Sequence, residues 1–145
     1  MSTYQISCTI GTTDPTAELG LEVWLDDTRL FDTNHVVYES LPLTFGIDED
    51  EAEHELYFVM IGKTAKHTQL DEAGNIIKDA SLIIKDIAFD EIELKQVFVD
   101  HAVYTHDFNG TRPETKDKFY GEMGCNGTVS LKFTNPIYLW LLENM

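Results

Sequence analysis

A chain of 145 residues with 43% apolar and 11% aromatic side chains can bury a core without metal or disulfide staples and is too apolar to stay disordered, so one domain over residues 1–145 is expected. Twenty-six acidic against ten basic side chains give a formal charge of −16, a surface that repels phosphate backbones and anionic lipid heads and argues against nucleic-acid and membrane partners. Divalent cations, neutral sugars and basic protein surfaces stay open as partners, and an acidic coat that serves only solubility has the same composition.

The opening MSTYQISCTIG alternates polar and apolar residues instead of joining a basic segment to an apolar one, so no secretory signal and synthesis in the cytoplasm are expected. Within it Tyr4, Ile6, Cys8 and Ile10 share one parity and Gln5, Ser7 and Thr9 the other, the period of a half-buried strand. Cys8 therefore reads as a buried thiol, whereas a Cys8–Cys125 disulfide would need an oxidising compartment. GLEVWLDD repeats the pattern with Leu21, Val23 and Leu25 inward, and it places Trp24 on the polar parity beside Glu22 and Asp26. HVVYES reads as a short strand, and the acidic run Asp48–Glu55 as a solvated loop. In HELYFVMIGK both parities are apolar, which predicts a strand buried on both sides.

LDEAGNII carries a Gly-Asn turn. Beyond it SLIIKDIAFDEIELKQVFV is rich in β-branched and aromatic residues, with a parity change that asks for a bulge or tight turn near Asp90–Glu91. DHAVYTHDF reads as a strand, NGTRPETKDKFYGEMGCNG as a long connection, and TVSLKFT as a strand with Val129, Leu131 and Phe133 alternating. The last apolar run, Ile137–Leu142, is expected to pack on the domain as a strand or helical turn, since water contact would cost several kcal/mol at about 25 cal/mol per Å². No stretch holds a 3.6-residue period over three turns. Some eight to ten short strands, roughly, separated by turn residues predict an all-β chain, an antiparallel β-sandwich or jelly roll.

Catalytic signatures are missing: no Gly-x-Ser-x-Gly elbow, no phosphate loop, and Phe58 where a zinc-protease helix starting at His54 would need its second histidine. The carboxylate pairs Asp26–Asp27, Asp48–Asp50, Asp71–Glu72 and Asp90–Glu91 would suit glycoside hydrolysis only if two were held about 5–9 Å apart across a cleft. No EF-hand loop is present, yet sandwich loops can hold calcium with oxygens from distant segments, and Asp26, Asp27, Asp107 and Asn109 are the candidate donors. Trp24, Tyr57, Tyr104 and Tyr120 are candidate stacking platforms for sugar rings, with packing on a second face or a subunit interface as the alternative use. Two Asn-Gly-Thr triplets, at Asn109 and Asn126, fit glycosylation acceptors only in a secreted chain. They read better as brackets of one exposed loop, the second as a tight hairpin turn, and His106 and Asp107 at the base of that loop are the first candidates for a partner contact.

The segment LEVWLDDTRLFD resembles the strand and turn near the start of calcium-dependent, xylan-binding carbohydrate-binding modules, with Asp27 where that run has Gly, and LIIKDIAFDEIEL resembles a strand of sugar-binding jelly rolls. The stretches HELYFVMIGKTAKHTQLDEAGNII, FVDHAVYTHDFNGT, FYGEMGCNGTVSLKF and PIYLWLLENM are similar to small proteins of tailed bacteriophages, notably those of cyanobacteria. That similarity implies a virion location and other virion proteins, a second copy of the chain or a host-surface polysaccharide as partners. The leading expectation is a non-catalytic accessory protein of a phage particle, such as a head-decoration, neck or tail component with a glycan-binding face. A calcium-dependent lectin is the alternative, and a small hydrolase using two carboxylates comes last.

Overall fold

A computed structural model describes residues 3–63, 68–70, 72–73, 76–107 and 113–144. The strands are β1 (Thr3–Thr12), β2 (Gly20–Leu25), β3 (Thr28–Thr33), β4 (Leu41–Asp48), β5 (Glu53–Ile61), β6 (Thr68–Leu70), β7 (Ile76–Asp79), β8 (Leu82–Phe89), β9 (Ile92–Glu93), β10 (Val103–His106), β11 (Thr115–Lys118), β12 (Glu122–Met123) and β13 (Gly127–Thr134). Two short helices, α1 (Gln96–His101) and α2 (Ile137–Asn144), complete the described elements. One sheet runs β12-β8-β1-β4 with β9 added to β8, and the other β11-β10-β13-β5-β2-β3, while β6 and β7 pair apart. All pairings among the described residues are antiparallel. The chain is an all-β sandwich.

Strand parity builds the core. Tyr4, Ile6, Cys8 and Ile10 of β1, Leu21 and Val23 of β2, and Val129, Leu131 and Phe133 of β13 are all buried between the sheets, as their alternation predicts. Cys8 is 4% exposed and burial pushes its thiol up to about 12. It is not bonded to Cys125. The parity change in β8 has two sources: a bulge where Asp86 adopts φ 56 and a tight turn at Asp90 and Glu91, both at positive φ, between β8 and β9. The terminal run forms α2, which buries Ile137, Trp140 and Leu141.

Four expectations change. HVVYES is not a strand but the connection that crosses from β3 in one sheet to β4 in the other, held by Val36 N–H donating to Leu19 O at 2.8 Å and Thr12 N–H to Tyr38 O at 3.0 Å. In β5 only Leu56, Phe58 and Met60 are fully buried, so its other face, with Tyr57 and Val59, lines the outside of the six-stranded sheet. QVFVDH, read as part of a β-rich run, forms α1. Asn126 is no hairpin turn, because β12 and β13 belong to different sheets. Its side chain instead clamps the end of β5, accepting from Lys63 N–H and donating to Lys63 O, each at 2.9 Å. The Gly-Asn turn and the first Asn-Gly-Thr triplet lie outside the described residues.

Candidate functional site

On the outer face of the six-stranded sheet, Trp24 of β2 stands directly opposite Tyr57 of β5. Alternation puts both rings outward: their neighbours Val23, Leu25, Leu56 and Phe58 are the buried ones. Each ring is oriented by a carboxylate two residues away on its own strand. Trp24 Nε1–H donates to Glu22 Oε1 at 2.8 Å and Tyr57 O–H to Glu55 Oε1 at 2.6 Å. The second bond holds the phenol protonated, pushing Tyr57 up to about 12. Arg29, facing Trp24 across the β2–β3 hairpin, lies 5.8 Å from the centre of its ring. Trp24, Tyr57, Val59 and Thr128 with Asp26 and Asp27 line a groove of about 430 Å³.

Asp26 opens the β2–β3 turn at φ 51 and is fixed at both carboxylate oxygens. Oδ1 accepts from Glu55 N–H at 2.9 Å and Oδ2 meets His54 Nδ1 at 2.6 Å. The other ring nitrogen, Nε2, meets both oxygens of Asp50, at 2.8 and 3.0 Å. Carboxylates only accept, and a neutral imidazole has one N–H, so a ring bridging two of them carries both protons. Burial opposes that charge, but the hydrogen bonds and negative charge of Asp26 and Asp50 outweigh it and raise the His54 pKa. Hydrogen bonds from His54, Ala52 N–H and Asn135, chiefly the first, hold Asp50 down at about 2. The run read as a solvated acidic loop thus closes as a clamp joining the β2–β3 turn to the β4–β5 connection.

The clamp has a pH signature. His54, raised above its ordinary 6.5, contributes stability that is complete below 6.5 and is lost as pH rises through its raised value. Asp50, lowered from 3.8 to about 2, contributes stability present above 3.8 and lost as pH falls through that lower value. The melting temperature of the native protein is therefore expected to exceed that of His54→Gln most between those two ordinary values. A difference that is flat with pH would remove the charged bridge.

Beyond Asp26 a second groove of about 430 Å³ is lined by Glu53, His54, Glu55, Lys132, Phe133, Thr134 and Trp140. The other residues singled out in the sequence lie elsewhere. Tyr104 is 7% exposed and belongs to the core, with its hydroxyl donating to Cys125 O and accepting from Cys125 N–H. His106 is buried against it, ring centres 4.4 Å apart, with Nε2 2.8 Å from Asp117, and Asp107 is exposed. Tyr120, 78% exposed, rims a separate groove over Phe98 and Phe119. Asn109 lies outside the described residues. The pairings set Leu25 level with Leu56 and Leu131, and His106 level with Gly127 and Met60, so Asp26 and Asp107 are about 25 Å apart by strand rise and spacing. One ion does not reach both.

Sequence reasoning missed His54, Asp50 and Glu55 as parts of one arrangement. Their signal was slight: a single histidine inside an acidic run.

The fold and this face define a β-sandwich with an aromatic and carboxylate groove on the outside of one sheet. No protein-family profile matches the chain and no curated protein matches it. Among solved structures it is similar to a selenomethionine form of vCBM60, described with a circular permutation that links two families of calcium-dependent carbohydrate-binding modules, at 10% identity over 88% of this chain and 89% of that one, with a TM-score of 0.51. It is also similar to vCBM60 in complex with galactobiose, at 11% identity over 88% of this chain and 96% of that one, with a TM-score of 0.46. At these identities the likeness is one of fold.

Proposed function

We propose that the protein binds a carbohydrate on the outer face of its six-stranded sheet, in the groove of Trp24 and Tyr57, and acts by binding without catalysis. The observation that carries this reading is the cross-strand pair itself, two outward rings in register, each held by its own carboxylate. A sugar ring offers an apolar C–H face and a rim of hydroxyls, and a flat aromatic surface edged by fixed acceptors complements both. The fold likeness to a carbohydrate-binding module supports it. Glycosidic catalysis would need a carboxyl group with a raised pKa to act as acid. Asp50 is shifted the opposite way, to about 2, and both Asp26 oxygens are taken.

Calcium does not fit the Asp26–His54–Asp50 clamp itself: both oxygens of each carboxylate already accept hydrogen bonds, and the charge beside them is met by His54. The virion role expected from the sequence rests on the phage-like segments, which detection of the chain in purified particles would test. The fold supports carbohydrate binding and adds nothing to the virion role, so binding takes first place, with a host-surface polysaccharide as the partner that serves both readings.

Calorimetry against neutral oligosaccharides, with calcium and with chelator, tests the proposal. Binding is expected in both conditions, weakened at least tenfold, about 1.4 kcal/mol, by Trp24→Ala. The variant should keep the native circular dichroism, because the ring lies outside the core. Unchanged affinity in that variant would move the site elsewhere.

A further inference from the structure

We propose that the binding face continues past Asp26 into the second groove, so that the ligand is an uncharged linear glycan held at two subsites on successive sugar residues. The inference rests on the carbohydrate reading and extends it. Asp26 lines both grooves, and the outward side chains of β5 join them: Val59, Tyr57, Glu55 and Glu53 follow at two-residue spacing. Six residue steps at roughly 3.3 Å each make a strip of about 20 Å, far longer than one ring needs. The second groove lies over the nearly buried edges of Phe133 and Trp140, and its accessible rim is polar, with Glu53, Glu55, Lys132 and Thr134. Lys132 stands opposite Glu55 in the β5–β13 pairing and lines the second groove but not the first.

The junction is rigid. Asp26 is tied to Glu55 N–H and to His54, so a chain crossing it meets a surface already ordered, and less of the binding energy is lost to reorganisation. Charge selects the class of ligand. Asp26 and Asp27 line the first groove and Asp26, Glu53 and Glu55 the second, on a chain of net charge −16. A uronic acid would bring like charge onto these carboxylates, whereas a neutral chain brings hydroxyl donors to them.

The test is calorimetry of the full chain against neutral xylo- and galacto-oligosaccharides from disaccharide to hexasaccharide, with oligogalacturonides as the charged counterpart. Affinity is expected to rise about tenfold or more along one neutral series, and Lys132→Ala, an exposed position, is expected to remove that rise while leaving disaccharide affinity within about twofold. Equal affinity for short and long neutral ligands, an equal loss for both in Lys132→Ala, or oligogalacturonide binding as tight as neutral binding would overturn the two-subsite proposal while the Trp24–Tyr57 site stands. Failure of every oligosaccharide to bind would overturn both.

Discussion

Replacing Gly11 by alanine is expected to destabilise the protein by at least about 3 kcal/mol, more than ordinary overpacking costs. A β-carbon at this position would lie 2.0 Å from Glu39 O and 2.7 Å from Glu39 C, both backbone atoms of the connection that crosses from β3 to β4. Backbone cannot turn aside as a flexible side chain would. The crossover must move, and the bond from Thr12 N–H to Tyr38 O at 3.0 Å, one residue along, goes with it. Gly11 is also paired with Ile83 in β8, so β1 has no free side toward which to shift. Thermal unfolding should show a loss of roughly 6–12 °C for a chain of this size. Gly46, in β4 on the same sheet, has nothing within 4 Å of an added β-carbon, and Gly46→Ala is the control expected to melt close to the native protein. Equal melting of the two variants would show that the crossover does not press on β1.

Gly11 also shows where sequence reading stops. The alternation in TYQISCTI identifies β1 and its inner face, because apolar parity reflects burial directly. The glycine that follows has no parity to read, and its cause is a chain segment 28 residues later that touches it only in three dimensions. The same limit explains HVVYES, whose β-branched residues suit a strand but serve a crossover anchored at Leu19 and Thr12. In VYTH the two parities are equally apolar, so nothing local tells that Tyr104 and His106 face inward.

Trp24 was legible as an outward residue because a large ring on a polar parity is out of place in an ordinary half-buried strand. Its partner Tyr57 offers the same aromatic chemistry in the sequence, but only the register of β2 on β5 puts the two side by side. The clamp was not legible at all. Asp26, Asp50 and His54 come from two turns and a strand start, and the histidine, 13% exposed at its side chain, falls inside β5, which begins at Glu53, within the run that reads as a solvated acidic loop.

Truncating Phe133 to alanine is the second large effect expected, about 3–5 kcal/mol for a buried phenylalanine, and it ties stability to binding. Phe133 is 2% exposed. Its ring centre lies 5.0 Å from that of Phe89 in the opposite sheet, 6.3 Å from Trp140 in α2 and 5.7 Å from His54. One side chain therefore fills the core between sheets, seats α2 and backs the imidazole of the clamp. Removing it opens a cavity that no single neighbour can fill, because each is fixed by a different element. Denaturant unfolding should report the full loss through a lower midpoint at unchanged slope. Phe133→Leu keeps most of the apolar volume and is expected to cost less than half as much, which leaves a folded protein for the binding measurement. Since Phe133 supports the floor of the second groove from the core and does not reach the first, the leucine variant should lose part of the affinity gained with ligand length and keep its disaccharide binding. A parallel loss for short and long ligands would mean that Phe133 acts on both grooves through the core, with α2 and the clamp moving as one body.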